Sequence, residues 1–254
     1  MLLNLSSVMI VFIKEILGFK LMVSYMKRTW RNKLKGLLFG EENSFSNKKT
    51  GYWSQIGQDY VSNIIHNNKR NGFFIEVGGY HPYLYSNSFF FESRLGWEGI
   101  IFEIDKKACD LIRKNRSCKV FESDVLDFNS EELKSEIPNR VDFLSIDIEP
   151  NDSNLKALLK FVNLPSRYSF ISFEHNEGRK ASLNQKIQDI GFKELTTRNY
   201  KRIVKNVLLN SKSTEDWYID INAIDFLNSK LLETLKDIEN VEYLDIIEII
   251  KNLN

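Results

Sequence analysis

Short apolar runs alternate with segments of helical periodicity between residues 73 and 174, and this alternation limits the possible folds more than any other feature. The runs are rich in β-branched and aromatic residues, which is typical of buried strands. Strands that alternate with helices form parallel pairs through right-handed crossovers, and the helices then cover both faces of the sheet. The alternation therefore predicts an α/β fold built on an open, mostly parallel sheet.

The sequence contains seven strand candidates. Five have strong patterns: FFIEV (73–77), GIIFEI (99–104), CKVFESD (118–124), VDFLSIDIE (141–149) and YSFISFE (168–174). Two weaker candidates, FKEL (192–195) and RIVKNVLL (202–209), are predicted to form a hairpin. Before them, the stripe of Leu183, Ile187 and Ile190 predicts a helix that ends at Gly191.

Three regions are predicted along the chain: an N-terminal helical extension with a linker (1–50), a main domain (51–220) and C-terminal helices (221–254). Charged residues interrupt the apolar N-terminal stretch well short of the roughly 20 apolar residues that a membrane span needs. The stretch also lacks the basic region and the cleavage site of a signal peptide. Both terminal regions are predicted to pack on the body or on a second copy of the chain, which would form a homo-oligomer.

Composition excludes little by itself. The formal net charge of the 254 residues is +1, and no basic, aromatic-interleaved face is evident, so no nucleic-acid partner is expected. The two cysteines, Cys109 and Cys118, form no paired framework, which favours a reducing compartment such as the cytoplasm. The arginines Arg94, Arg113 and Arg116 are interpreted as solvated helix residues.

The first strand candidate ends in a turn of special residues, FFIEVGGYHP (73–82). Gly78 and Gly79 let the backbone approach a ligand without a Cβ in the way. Glu76 precedes them and offers a carboxylate to a cationic or amine-bearing ligand. The stretch lacks the third glycine of a dinucleotide-binding fingerprint, which disfavours a nicotinamide-dependent dehydrogenase.

Acidic residues end the other strand candidates as well. Glu103 ends the second and suits the two hydroxyls of a ribose, whereas Asp124 ends the third and suits an adenine amino group. Asp147 and Glu149 end the fourth, two residues apart and thus on one side, and residues 174–176 (Glu-His-Asn) end the fifth. Because ligands bind at the carboxyl ends of parallel strands, five such ends predict one ligand-binding rim.

Six motifs in this order resemble the FkbM-type methyltransferases, which use S-adenosylmethionine. They are SQIGQD (54–59), IEVGGYHPYLYSNSFFFE (75–92), GWEGIIFEID (96–105), DFLSIDIEP (142–150), YSFISFEHN (168–176) and EDWYID (215–220). The sequence departs from the commonest family pattern in three places: GGYHP stands for G-A-x-x-G, S-N-S for S-N-T, and Pro150 for a glycine. The resemblance implies a Rossmann-like class I methyltransferase fold with a mostly parallel, seven-stranded sheet.

The resemblance also assigns residues to parts of the cofactor, S-adenosylmethionine. Facing its amino-acid end would be Glu76, Gly78, Gly79, Ser86 and Asn87. Glu103 would bind the ribose, Asp124 and Val125 would bind the adenine, and Asp147 would lie near the sulfonium and the substrate. The main domain (51–220) would then be the methyltransferase domain.

Methyl transfer to a hydroxyl requires alignment of the reactants and removal of the hydroxyl proton. His175 is the candidate base, because its unperturbed pKa is about 6.5, and Asp147 or Glu149 is the alternative. These residues together with Glu174 would also suffice to hold a divalent cation, although their spacing matches no known metal motif.

Two functions are therefore expected from the sequence. The first is O-methylation of a hydroxyl on a small-molecule or glycan acceptor, where the acceptor class comes from the resemblance alone. The second is a non-catalytic, methyltransferase-like binding or scaffold module. Acidic residues at every strand end that is predicted to bind the cofactor favour the enzyme, since a decayed site would have lost some of them.

Overall fold

The structure is a computed structural model, and it describes residues 51–175, 181–236 and 238–253. The predicted N-terminal extension and linker (1–50) lies outside the described residues, as does Asn176. Within the described ranges, no helix combines the length and the apolar character that a membrane span requires.

The described residues form a single sheet with helices between its strands. The strands are β1 (Phe73–Val77), β2 (Glu98–Glu103), β3 (Lys119–Glu122), β4 (Arg140–Ile146), β5 (Arg167–Glu174), β6 (Tyr200–Leu209), β7 (Lys212–Asp220) and β8 (Ile238–Glu242). The α-helices are α1 (Gln58–Ile65), α2 (Lys106–Asn115), α3 (Ser130–Glu136), α4 (Asn151–Val162), α5 (Ala181–Thr197), α6 (Ser229–Leu235) and α7 (Tyr243–Lys251). Short 3₁₀ or π turns occupy Phe91–Leu95, Val125–Asp127 and Ile221–Phe226.

The strand order in the sheet is β3-β2-β1-β4-β5-β7-β6-β8. Neighbouring strands are parallel except where β7 runs antiparallel to β5 and β6. The chain therefore builds outward from β1 in one direction and from β4 in the other. Between these two strands the connections diverge, which opens a crevice at their carboxyl ends.

Aromatic and aliphatic residues alternate along the central strands and supply two separate cores. Phe74, Phe143 and Phe170 are paired across β1, β4 and β5 and belong to one buried cluster. Their chain neighbours Ile75, Leu144 and Ile171 are paired in the same way and belong to the other. Because successive strand residues point to opposite faces, both faces of the sheet are covered, as the sequence predicts for a parallel sheet.

The five strong strand predictions are confirmed, but the prediction for residues 192–195 is wrong. These residues belong to α5, which continues through Gly191 to Thr197. Gly191 is a packing position: a Cβ there would lie 2.6 Å from Cε1 of the Phe173 ring on β5. The hairpin partner of β6 is β7 instead.

The C-terminal region contains the two predicted helices and a strand that the sequence did not predict. β8 lies between α6 and α7 and pairs in parallel with β6, with Val204 opposite Ile238. It is short and charged, and only tertiary pairing with β6 makes it a strand. It brings the sheet to eight strands in the described residues, rather than the predicted seven.

We expect Gly191→Ala to destabilise the protein. Alanine favours a helix by up to about 1 kcal/mol over glycine, but the added methyl group would collide with the fully buried ring of Phe173. Overpacking of this kind costs about 1–3 kcal/mol, so the free energy of unfolding measured in urea should fall. Lys193→Ala, at an exposed position of the same helix, is the control and should change it by less than about 0.5 kcal/mol.

Candidate functional site

A cavity of about 590 Å³ lies at the carboxyl ends of β1, β2, β3 and β4. This is the crevice where the strand order reverses, the position at which open α/β sheets bind ligands. Its volume falls within the range of roughly 300–1,000 Å³ that is typical of small-molecule sites. The structure thus provides a ligand-sized cavity at the rim that the sequence predicts.

The cavity brings together most of the predicted site residues. Its lining includes Gly78, Asn87, Glu103, Asp124, Val125, Asp147 and Glu149. It also includes residues that the sequence did not single out: Gln55, Tyr80, Tyr85, Phe102, Ile104, Ser123, Ile148 and Ser153. Four predicted residues are not part of the lining: Glu76, Gly79, Ser86 and His175. The cofactor role of each residue stays a prediction.

Gly78 allows the exits of β1 and β4 to meet at the cavity. Its φ of 100° is a conformation that other residues rarely adopt, and a Cβ would overlap the backbone carbonyl oxygen of Asp147. Its N–H donates to the carbonyl oxygen of Phe102 (3.0 Å), while the N–H of Asp147 donates to that of Val77 (3.0 Å). Only glycine permits the cavity wall to be bare backbone here.

A buried row of polar residues crosses the sheet beneath the cavity. Glu76, Ser145 and Ser172 are paired across β1, β4 and β5, and each is at most 2% exposed. Glu76 accepts hydrogen bonds from Asn87 N (2.6 Å), Ser86 Oγ (3.1 Å) and Ser88 Oγ. Each member interrupts an apolar strand motif, which is a signal that the sequence carried.

Asn87 links this polar row to the cavity. Its amide nitrogen Nδ2 donates to Ser145 Oγ (2.8 Å). Its carbonyl oxygen Oδ1 is buried and accepts no hydrogen bond from any of the residues that the structure describes, although Asn87 lines the cavity. Since buried polar atoms are nearly always paired, this orphaned oxygen is left as an acceptor for a hydrogen-bond donor from outside the described residues.

At the opposite end of the cavity, Glu103 is the last residue of β2, and Asp124 follows the end of β3. Glu103 accepts from the backbone N–H groups of Tyr80 (2.8 Å) and Asp105 (2.7 Å). Asp124 accepts from the N–H of Leu126 (2.9 Å) and so caps the 3₁₀ turn that contains Val125. These bonds fix both carboxylates, and each oxygen retains a lone pair for a ligand.

Two further carboxyl groups, those of Glu174 and Glu215, lie close to Asp147. Burial raises the pKa of Glu174, and the charge of Asp147 and a hydrogen bond shared with its carboxyl raise it further. Burial also raises the pKa of Glu215 to about 7, although Trp217, Ser172 and Gln58 donate hydrogen bonds to it. Glu174 therefore carries a proton at neutral pH.

His175 lies away from the cavity lining. It is 2% exposed, and its Nε2 is 3.1 Å from Oδ1 of Asp216 and 3.3 Å from Nε2 of Gln188. Burial raises the pKa of Asp216, but the hydrogen bond and the charge of His175, with help from Arg202, lower it to about 2. The structure thus directs this nitrogen of His175 to a buried carboxylate rather than to the cavity.

No cluster of three or more histidine, cysteine, aspartate or glutamate side chains in the described residues has an arrangement that would hold a metal ion. The predicted set of Asp147, Glu149, Glu174 and His175 is divided between the cavity and the interior. The structure does not assemble these four residues as one ligand set.

No protein-family model matches the sequence, and no curated protein is significantly similar to it. The solved structures that resemble it include an O-methyltransferase from Bacillus cereus in complex with SAH, at 13% identity over 74% of this chain and 86% of that one, with a TM-score of 0.48. A TehB-like SAM-dependent methyltransferase from Corynebacterium glutamicum matches 76% of this chain and 95% of its own at 11% identity, with a TM-score of 0.45. An rRNA methylase from Streptococcus thermophilus matches 65% of this chain and 92% of its own at 8% identity, with a TM-score of 0.43.

The strand order and the single reversed strand are those of a Rossmann-like class I methyltransferase fold, so the predicted fold class is confirmed. The narrower resemblance to the FkbM-type family stays a prediction. At these low identities and TM-scores the neighbours decide nothing about the acceptor.

We expect Glu215 to make stability depend on pH. Its pKa is about 7 in the folded protein against an ordinary 4.5, so the folded state binds its proton more tightly. The stabilisation is complete below pH 4.5 and is lost as the pH rises through about 7. The loss is on the order of 3 kcal/mol.

Urea unfolding of the wild type and of Glu215→Gln between pH 4 and pH 8 measures this loss. The unfolding free energy of the wild type, relative to that of Glu215→Gln, should fall by this amount as the pH rises. Glu233→Gln, at an exposed position, is the control and should parallel the wild type. Parallel curves for all three proteins would contradict the shift at Glu215.

Proposed function

We propose that the protein is an S-adenosylmethionine-dependent methyltransferase. The observation that carries the proposal is a single cavity with carboxylates fixed at one end and an orphaned amide oxygen, Asn87 Oδ1, at the other. A ligand with a hydroxyl-bearing nucleoside at one end and an ammonium group at the other satisfies both ends. S-adenosylmethionine has this chemistry.

The adenosine end fits the part of the cavity around β2 and β3. Glu103 offers its carboxylate to the two ribose hydroxyls, and Asp124 offers one to the adenine amino group. Val125 and the exposed Ile104 provide apolar surface for the base. Binding here removes apolar surface from water, which supplies affinity at roughly 25 cal/mol per Å².

The amino-acid end fits the part of the cavity formed by Gly78 and Asn87. The backbone at Gly78 admits a ligand chain, and Asn87 Oδ1 accepts an N–H bond from an ammonium group. When bound, S-adenosylmethionine supplies an electrophilic methyl group on a sulfonium. Asp147 lines the same region, so its negative charge faces the positive end of the cofactor.

Asp147 is also the base that the geometry favours for the acceptor hydroxyl. It lines the cavity, and the protonated carboxyl of Glu174 donates a hydrogen bond to it. Glu149 lines the cavity too and is the second candidate, whereas His175 is buried against Asp216. An acceptor hydroxyl placed beside Asp147 would lose its proton to that carboxylate as the methyl group is transferred.

The proposed acceptor class comes from the sequence motifs. A hydroxyl on a sugar, a glycan or a small metabolite rests on the resemblance to the FkbM-type family. The near-neutral net charge of +1 gives no reason to prefer a nucleic acid. The structural neighbours include an rRNA methylase, and that name describes the neighbour's own activity.

Calorimetric binding of S-adenosylhomocysteine tests the cofactor assignment. The wild type should bind, and Glu103→Ala and Asp124→Ala should each weaken binding roughly tenfold to a hundredfold, because each removes hydrogen bonds to a charged group. Glu98→Ala, at the exposed start of β2, is the matched control and should bind as the wild type does. A folded wild-type protein that binds no S-adenosylhomocysteine would refute the assignment.

Formation of S-adenosylhomocysteine with a panel of saccharides and hydroxylated metabolites tests the base. We expect Asp147→Asn to lower turnover at least 100-fold, since general-base catalysis contributes about 10²–10⁴. His175→Gln should retain more activity than Asp147→Asn. The reverse ranking would restore His175 as the base, and cofactor binding without transfer to any acceptor would favour the binding-module alternative.

A further inference from the structure

Arg116, which follows α2, is a fully buried arginine outside the cavity. Its side chain is 0% exposed although it lies in a polar stretch of sequence, KNRSC (114–118). Its Nε donates to Glu92 Oε2 (2.6 Å), and the neighbouring N–H of Ser117 donates to the other oxygen of that carboxylate (2.6 Å). A buried charge needs partners, and Glu92 alone occupies only one edge of the guanidinium.

The other edge of the guanidinium binds the segment that forms one wall of the cavity. Nη1 donates to the carbonyl oxygen of Pro82 (3.2 Å) and to Ser86 Oγ (3.1 Å), and Nη2 donates to Ser88 Oγ (3.0 Å). Tyr80 and Tyr85, which line the cavity, belong to the same segment. Arg116 therefore holds the segment at three points.

Both serine hydroxyls also bind a second buried charged residue, Glu76. Ser86 and Ser88 accept from Arg116 and donate to Oε2 of Glu76. Glu76 is 2% exposed, and burial raises its pKa, whereas the charge of Arg116 and these hydrogen bonds oppose that rise. The hydroxyls connect a buried cation to a buried anion without direct contact between the two.

The network ends at the orphaned oxygen of Asn87. The other oxygen of Glu76, Oε1, accepts the backbone N–H of Asn87 (2.6 Å), and Ser145 accepts from its side-chain nitrogen (2.8 Å). These two bonds fix the backbone and the amide plane, so Oδ1 has one orientation. A chain of hydrogen bonds thus leads from Arg116 to Asn87, the residue whose Oδ1 is assigned to the cofactor's ammonium group.

We infer that Arg116 is a positioning residue for the amino-acid end of the cofactor, acting through Ser86, Ser88 and Glu76 on Asn87. Its planar fork reaches both serines at once, which the single ammonium of a lysine does not reproduce. None of its hydrogen bonds goes to Glu103 or Asp124 in the described residues. Of the bonds that fix these two carboxylates, the one from the Tyr80 N–H comes from the segment that Arg116 holds, whereas those from Asp105 and Leu126 come from outside it. The inference rests on the proposed cofactor but assigns a residue outside the cavity.

Two ligands separate this role from a general loss of structure. S-adenosylhomocysteine carries the amino-acid end, whereas 5′-methylthioadenosine carries the adenosine and the sulfur without it. We expect Arg116→Met to weaken S-adenosylhomocysteine at least tenfold in calorimetry and 5′-methylthioadenosine less than twofold. Arg116→Lys should show the same selectivity, because it keeps the charge but not the fork.

Two further variants complete the experiment. Arg113→Met should bind both ligands as the wild type does, because Arg113 lies on the exposed face of α2 and pairs with Glu122 (2.8 Å). Ser88→Ala keeps both buried charged residues and removes one of the two hydroxyls that connect them. It should therefore weaken S-adenosylhomocysteine binding selectively but less, by about threefold or more. It also keeps the inference testable if Arg116→Met does not fold.

Equal weakening of both ligands in the Arg116 and Ser88 variants would overturn the inference, because it would show a structural role only. Unchanged binding of S-adenosylhomocysteine in Ser88→Ala and Arg116→Lys would overturn it as well, with the cofactor assignment intact. A wild type that binds neither ligand would remove the proposed function and this inference together, so the two failures are distinguishable.

Discussion

The close approach of two strand exits determines the rest of the site. β1 and β4 are adjacent in the sheet, and the chain leaves them in opposite directions. At this point Gly78 lies against the backbone carbonyl oxygen of Asp147, where no Cβ fits. The contact places the glycine turn beside the carboxylate that faces the cavity. Without it the two walls would separate, because any larger residue at position 78 would push them apart.

A second constraint is the buried polar row beneath the cavity. Burying Glu76 and Arg116 is costly unless each is fully hydrogen-bonded, and Ser86, Ser88 and Asn87 supply those bonds. The same bonds hold the turn after β1 in one conformation. A network of this kind favours a single arrangement, because any arrangement that leaves some of its buried polar groups without hydrogen bonds costs free energy. The network therefore holds this wall of the cavity in place without a ligand.

The carboxyl groups around Asp147 show how tertiary structure divides chemically equal residues into different roles. Glu174 lies next to Asp147 and retains a proton, whereas Asp216 is buried beside His175 and Arg202 and stays ionised, with a pKa of about 2. Burial opposes ionisation in both cases, and the partner decides the outcome. Sequence reasoning chose His175 as the base from its unperturbed pKa, but the pairing with Asp216 is a tertiary fact.

The sequence by itself determined the α/β class, the five strong strands and the acidic residues that end them. It could do so because strand periodicity and strand-end chemistry are local, and parallel strands bring their carboxyl ends to one edge. Glu103, Asp124 and Asp147 line the cavity for that reason. Only the tertiary structure decided which side chains face the cavity, that β8 joins the sheet, and that Arg116 is buried. Those outcomes depend on contacts between distant segments: an arginine in a polar stretch has the pattern of a surface residue until Ser86, Ser88 and Glu92 surround it.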